Sequence, residues 1–306
     1  IGAGTAGCVL ANRLSAEAGV SILLLEAGGP YRHPMLPIPM MAGLSYFIKS
    51  TNWNYESAPE PHLDNRRIAW PRGKVVGGTS SINGMMYIRG HRRDYDSWAE
   101  SGLDGWSYSE VLPYFKRAEG NRDRRDSFHG NNGPFIAGQA KSNNPLYPVF
   151  LEACRQAGHP ATDDFNGAEQ EGVGRQDFNI EKGRRVCSAT AYLAPVQGRT
   201  NLRVVTRAHA TRLLFQGTRA VGVEYARGGE RKEVRAAREV IVCGGAVNSP
   251  ALLQHSGLGA ADLLRSLDIP VIADLPGVGQ NLQDHLGAYV QNHCLAPVTL
   301  YRLFRT

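Results

Sequence analysis

Hydrophobic positions follow two rhythms in this chain. Ile22 to Leu25 is apolar at every position, as a parallel strand buried on both faces must be, and Glu239-Val-Ile-Val-Cys243 repeats the pattern before a second pair of glycines. From Leu202 the apolar runs are short and interrupted by turn formers. Leu202 to Thr206, Thr211 to Phe215, Ala220 to Tyr225 and Lys232 to Ala236 are therefore predicted strands. Helical spacing follows Gly7 and recurs over Asn144 to Ala157, Ser188 to Leu193 (stopped by Pro195) and Ala260 to Leu267. Ser107-Tyr-Ser-Glu110 is a capping box opening a helix through Glu119, with Pro113 near enough to its start to be tolerated. Asn248-Ser249-Pro250 is predicted to cap and open another helix. Tyr87 to Arg93 reads as strand or loop, Pro270 to Leu275 as strand, and Pro276 to His285 as polar loop. Pro30 to Trp70 carries no period and many prolines, the mark of an extended excursion over a surface.

These elements acquire chemistry at the start of the chain. Gly2, Gly4 and Gly7 have G-x-G-x-x-G spacing, followed by helix, buried strand and a terminal acid, Glu26. The first glycine permits a sharp turn, the second lets backbone N–H groups approach a pyrophosphate, and the third lets helix pack on strand. Thr5 and Ala6 then sit at a helix N-terminus whose unpaired amides and positive dipole end favour phosphate. Glu26 is placed to accept from ribose hydroxyls, and its charge argues against NADP. The motif alone leaves FAD and NAD open. A simple nicotinamide dehydrogenase would continue alternating strand and helix where Pro30 to Trp70 stands, which favours FAD.

A second stretch, Arg72 to Gly90, is rich in glycine and hydroxyls. Gly77 and Gly78 allow close backbone approach, and Thr79, Ser80 and Ser81 supply hydroxyls and a cap, so it reads as a second anion site or as a flexible loop. Net charge is +6, but the basic runs Arg89 to Arg93 and Arg122 to Arg125 are broken by Asp94, Asp96, Asp123 and Asp126. A solvated mixed surface, not nucleic-acid binding, is expected. Five cysteines without a C-x-x-C pair read as free, mostly buried thiols in a reducing compartment. No apolar run is long enough to span a membrane, and the histidines have no metal-binding spacing. Only Ile1 precedes the glycine turn, and 299–306 is an amphipathic run without a cap, so a fragment is expected.

Three stretches in this order resemble the glucose-methanol-choline oxidoreductases: Gly2 to Gly29, Arg72 to Met86, and Gly245-Ala-Val-Asn-Ser-Pro250 through Gly259. The second and third are specific, and Ser80-Ser-Ile-Asn-Gly-Met-Met-Tyr-Ile-Arg-Gly90 and Gly277-Val-Gly-Gln-Asn-Leu-Gln-Asp-His285 add a closer likeness within the family. The resemblance implies an α/β fold: an FAD-binding, doubly wound Rossmann-like domain of the glutathione-reductase type with an inserted α+β substrate-domain portion. The domains implied are 1–134 (FAD-binding, first part, with excursion 30–70), 135–200 (substrate-domain portion), 201–285 (FAD-binding, return) and 286–306 (start of the substrate-binding domain). It further implies oxidation of an alcohol CH–OH, choline or another primary alcohol, by hydride transfer to FAD, with a quinone, dye or dioxygen as electron acceptor.

By position, Gly2, Gly4, Thr5, Ala6, Gly7 and Glu26 would take pyrophosphate and adenosine ribose. Arg72, Val76, Gly78, Ser80, Asn83, Gly84, Met85 and Met86 would lie along pyrophosphate and flavin, and Ala210 would offer its backbone to adenine. The stretch Asn248 to Gly259 would buttress sheet and cofactor or merely pack a helix. Ile82 stands where covalently flavinylated relatives have histidine, so the flavin is expected to be non-covalent. The family's catalytic histidine matches nothing here and is expected C-terminal to Thr306. The implied location is cytoplasmic or peripheral to the inner membrane. The competing readings are an NAD-dependent dehydrogenase and a catalytically inactive nucleotide-binding module.

Overall fold

A computed structural model of the chain describes residues 1–284, 287 and 290–299. His285, 300–306 and part of the segment expected to begin a substrate-binding domain lie outside the described residues. Packing divides the chain into two units, Ile1–Met85 with Lys182–Gln283, and Met86–Glu181 with the described residues that follow Gln283. The functional limits proposed from the sequence divide the chain by role, not by packing.

In the first unit, helix α1 (Thr5–Leu14) leads to strand β1 (Ile22–Glu26), which pairs in parallel with Leu202–Thr206, Ile22 opposite Leu202 and Glu26 opposite Thr206. On the other edge of β1, Gly2 N donates to Leu25 O at 2.7 Å. Ile1 in turn bonds the chain at 241–243: its backbone nitrogen donates to Ile241 O, and Cys243 N donates to Ile1 O, both at 2.7 Å. The spatial order is thus 202–206, 22–26, 1–2, 241–243, a parallel doubly wound arrangement. The predicted strand Glu239 to Cys243 forms no ladder, because its hydrogen bonds reach Ile1 alone and two such bonds do not propagate.

Leu25, Val205, Ala208 and Val223 form one core, with Ile1, Leu23 and Val234 packed against it. Val223 and Val234 arrive from a three-stranded antiparallel meander, His209–Gln216, Arg219–Arg227 and Glu230–Arg235. Gly228 and Gly229, at φ 63° and 84°, supply the two left-handed positions that a two-residue hairpin between Arg227 and Glu230 requires. Leu36, Val75 and Ile82 form a second core that anchors the excursion. The excursion itself contains only helical turns at Pro39–Met41, Ala42–Ser45 and Pro61–Leu63 and the short pair Tyr55–Glu56 with Ala69–Trp70.

Two expectations change here. The helix predicted to open at Asn248 begins earlier, as Gly245–His255, so Asn248 and Pro250 lie inside it; Asn248 Oδ1 accepts from the Tyr55 hydroxyl at 2.6 Å and is no cap. The strand predicted over Pro270 to Leu275 shrinks to Ala273–Asp274, because its partner Leu258–Gly259 offers only two residues.

The second unit is a sheet in the order Met86–Tyr87, Asp177–Phe178, Phe135–Gln139, Glu119–Asn121, with helices Arg92–Glu100, Tyr108–Ala118 and Leu146–Gln156. The helix at Tyr108 follows the Ser107–Glu110 box as predicted, Ser107 N donating to Glu110 Oε2 at 3.1 Å. The expected strand or loop over Tyr87 to Arg93 holds as far as His91, with strand Met86–Tyr87 and irregular chain after it; helix Arg92–Glu100 overlaps only its last two residues. His91 and Asp94 cap it reciprocally: Arg93 N donates to His91 Nδ1 and His91 N to Asp94 Oδ2.

The interior of this unit is polar. Among its described residues Ala137 is the one fully buried apolar side chain, while Arg89, Glu119, Asn121, His129, Asn166, Asp177 and Asn179 are all buried. Arg89 Nη2 lies 2.7 Å from Glu119 Oε2; His129 Nδ1 lies 2.8 Å from Glu119 Oε1 and its Nε2 2.9 Å from Asp164 Oδ2. Arg124 Nε approaches Asp164 and Asp177 at 3.6 and 3.5 Å. The basic runs are therefore not a uniformly solvated face: Arg89 and Arg124 neutralise interior carboxylates, whereas Arg122 pairs with Glu181 in the open. The five cysteines are free, but only Cys8 and Cys187 are fully buried, and burial pushes the Cys8 thiol up to about 12.

Candidate cofactor site

The first unit contains a cavity of about 1140 Å³, above the roughly 300–1,000 Å³ usual for small-molecule pockets. The glycine turn forms part of its wall. Gly2 sits at φ 93°, and a side chain there would strike Cys243 O at 2.4 Å; at Gly7 a Cβ would lie 1.9 Å from Gly2 O, so the helix can approach the turn only without one. Gly4 differs: a Cβ there would meet nothing nearer than Gly78 Cα at 3.9 Å, and would occupy cavity space instead of packing on protein. Gly78 faces it from the second glycine stretch, at φ 54°, where a Cβ would come within 2.8 Å of Gly4 Cα. The two loops can meet this closely only with glycine at 78, and Gly77 N seals them by donating to Ala3 O at 2.7 Å.

Helix α1 has no side-chain cap and no acid in its first turn. Its leading amides at Thr5 and Ala6 border the cavity, the arrangement that accepts a phosphate. Behind them Ser80 Oγ lies 2.6 Å from Gly77 O and 3.0 Å from Ser188 N, and Ser188 Oγ lies 3.1 Å from Thr5 Oγ1, so the hydroxyls fix one loop to the other. Glu26 is buried, with one oxygen accepting from Ala3 N at 2.8 Å and the other from Gly28 N at 2.7 Å. Burial pushes its carboxyl up, opposed chiefly by the hydrogen bonds from those two amides. Besides bordering the cavity, Glu26 ties the start of the motif to its end, a structural part that spacing did not disclose.

Of the residues singled out in the sequence, Gly2, Gly4, Thr5, Ala6, Glu26, Arg72, Gly78 and Ala210 border this cavity together. Gly7, Val76, Ser80, Asn83, Gly84 and Met85 stand behind or beyond its wall, and Met86 is an exposed residue of the second unit. Ala210 lies at an irregularity where the pairing of its strand skips Thr211, which turns toward Glu224 with a 2.6 Å hydrogen bond.

The sequence reading missed an aromatic wall. Trp53 stacks on Tyr55 at 5.7 Å and meets His209 at 5.3 Å, with Lys74 Nζ 4.5 Å above the Trp53 ring. Burial lowers the His209 pKa, helped by Lys74 and His255. Trp53, Tyr55, His209, Asn248 and His255 all border the cavity, so the helix Gly245–His255 forms wall as well as support. The alternation Trp53-x-Tyr55 and the adjacency of His209 to Ala210 were the available signals.

A family model described as GMC oxidoreductase matches residues 1–287. The chain is 48% identical over 308 residues to mitochondrial choline dehydrogenase of Mus musculus, covering 98% of this chain and 52% of that protein. It is 52% identical over 305 residues to an oxygen-dependent choline dehydrogenase of Burkholderia ambifaria, covering 98% and 54%. Among solved structures it resembles pyridoxine 4-oxidase from Mesorbium loti, with TM-score 0.86 and 34% identity over 90% of this chain and 54% of that one. A fungal aryl-alcohol oxidase gives TM-score 0.82 at 26% identity over 92% and 51%. The chain spans about half the length of the relatives it matches. FAD is the cofactor of this fold, and the residues present fit it: an uncapped helix start, a glycine cradle that any Cβ would fill, and a cavity of dinucleotide size. With fold, glycine cradle and sequence in agreement, the chain belongs to the GMC oxidoreductase family.

Proposed function

We propose that this chain forms the cofactor-binding part of an FAD-dependent enzyme that oxidises the CH–OH group of choline or a similar primary alcohol. The observation that carries the reading is the facing pair Gly4 and Gly78 at the uncapped start of α1, since close double approach of bare backbone serves a bound pyrophosphate. When bound, FAD supplies the acceptor for a hydride. The protein's own part is positional: Thr5 and Ala6 hold the phosphates, Glu26 fixes the motif and borders the ribose position, and Trp53, Tyr55 and His209 exclude water along one wall. Val76, Ser80, Asn83, Gly84, Met85 and Met86 are proposed to lie along the flavin, and Gly2, Gly7, Arg72 and Ala210 along the rest of the dinucleotide.

The likeness to choline dehydrogenases favours choline as substrate over the NAD-dependent and inactive readings. Quinone, dye and dioxygen are the proposed acceptors. Ile82, fully buried and aliphatic, offers no nucleophile, so the flavin is held without a covalent bond. No helix among the described residues is long and apolar enough to cross a membrane, and a cytoplasmic or peripheral location is proposed. The test is FAD titration of apoprotein by flavin fluorescence, wild type against Gly4→Val. Undiminished binding by Gly4→Val refutes the site; in a holoenzyme that also carries the C-terminal half found in its relatives, absence of flavin bleaching by choline without oxygen refutes the substrate.

A further inference from the structure

Arg185 is buried, only 3% exposed, yet has no counter-ion among the described residues. Burial lowers its pKa, and the groups that act on its charge are Tyr31, Cys187 and Tyr46, none of them a carboxylate. A buried guanidinium is costly to desolvate unless its hydrogen bonds are put to use. Here they converge on one segment. Nη1 donates to Asn83 O at 2.7 Å and Asn83 Oδ1 at 2.8 Å, and lies 3.3 Å from Ser80 O; Nε donates to Leu36 O at 2.9 Å. Its Nη2 has no acceptor among the described residues.

The same Asn83 oxygen accepts from Met85 N at 3.1 Å. Met85 is buried and left-handed, at φ 64°, a conformation that a non-glycine residue keeps only when its surroundings impose it. With Arg185 donating to Oδ1, the oxygen and not the amino group of Asn83 must face Met85 N. The guanidinium thus orients the carboxamide, and the carboxamide sets the backbone.

We propose that Arg185 is a positioning residue for FAD: it locks Asn83 and Met85 into the shape that receives the flavin, and brings one uncompensated positive charge to that stretch. This rests on the reading of residues 83–86 as the flavin-side segment. Arg185→Met removes fork and charge; Arg185→Lys keeps charge without the fork; Asn83→Asp keeps both acceptors and adds the missing counter-ion. Apoprotein is titrated with FAD by fluorescence, and the midpoint potential of bound flavin is measured for each variant.

Arg185→Met and Arg185→Lys lose about tenfold or more in FAD affinity, the scale of one charge-assisted hydrogen bond. Asn83→Asp, which trades the amide donor for a negative charge, lowers the midpoint potential; Arg185→Lys keeps the potential. Wild-type affinity in Arg185→Lys overturns the lock, whether or not Arg185→Met folds. An unchanged potential in Asn83→Asp overturns the charge. A wild-type chain that takes up no FAD refutes the cofactor reading itself, whereas normal uptake with indifferent variants refutes only the part given to Arg185.

Discussion

Raising the pH should loosen the second unit through one residue, His129. Both its ring nitrogens face carboxylate oxygens, Glu119 at 2.8 Å and Asp164 at 2.9 Å. Ionised carboxylates only accept, so both nitrogens donate and the ring is an imidazolium. The charges balance on that reading, with Glu119, Asp164 and Asp177 facing Arg89, Arg124 and His129. Burial opposes the proton, but Asp164 and Glu119 outweigh it and push the pKa to about 9 from 6.5. At about 1.36 kcal/mol per pH unit this amounts to roughly 3 kcal/mol.

Because the folded-state value is the higher one, the stabilisation is complete below about pH 6.5 and is lost as pH rises through about 9. Urea unfolding at a series of pH values across that window, with hydrogen exchange following the amides of residues 119–129, measures it. Wild-type stability of this unit should fall on the alkaline side. His129→Gln should begin lower and lack that slope. A flat wild-type profile, or an unaltered slope in His129→Gln, would refute the charge assignment.

Other outcomes follow from the cofactor site. Gly78→Ala places a Cβ 2.8 Å from Gly4 Cα at a left-handed position, so flavin content per protein, read by absorbance, should drop sharply; normal content would contradict the facing-loop geometry. Glu26→Gln can accept from only one of Ala3 N and Gly28 N, and should lower unfolding free energy by about 1–3 kcal/mol in denaturant titration. Acid precipitation of holoprotein should leave all flavin in the supernatant, and yellow colour in the washed pellet would contradict non-covalent binding at Ile82.

What could be read beforehand was local. The strand Ile22–Glu26 and the cap at Ser107 depend on neighbours in sequence, and both stand where expected. Residues 239–243 have the same apolar pattern, but a ladder also needs a partner, which no pattern in the strand itself records. The cap at His91 was missed because an imidazole acceptor is not among the usual capping oxygens. In the cofactor cavity the glycines were legible because backbone constraints leave glycine. Trp53 and His209 were not, since what unites them is distance across a cavity. The interior of the second unit inverted its own signal: charges at Arg89 and Arg124 read as surface until their carboxylate partners were seen.

The pairing of β1 with Leu202–Thr206 sets a timetable. Ile22 and Leu202 are about 180 positions apart, and synthesis adds about 5–20 residues per second, so β1 waits roughly ten to forty seconds on the ribosome before its neighbour exists. Throughout that interval an apolar strand presents an open edge, the template that invites pairing with other nascent chains. Production of this protein should therefore be sensitive to translation speed and to holdase chaperones, with slow codons between the two strands lowering the soluble yield.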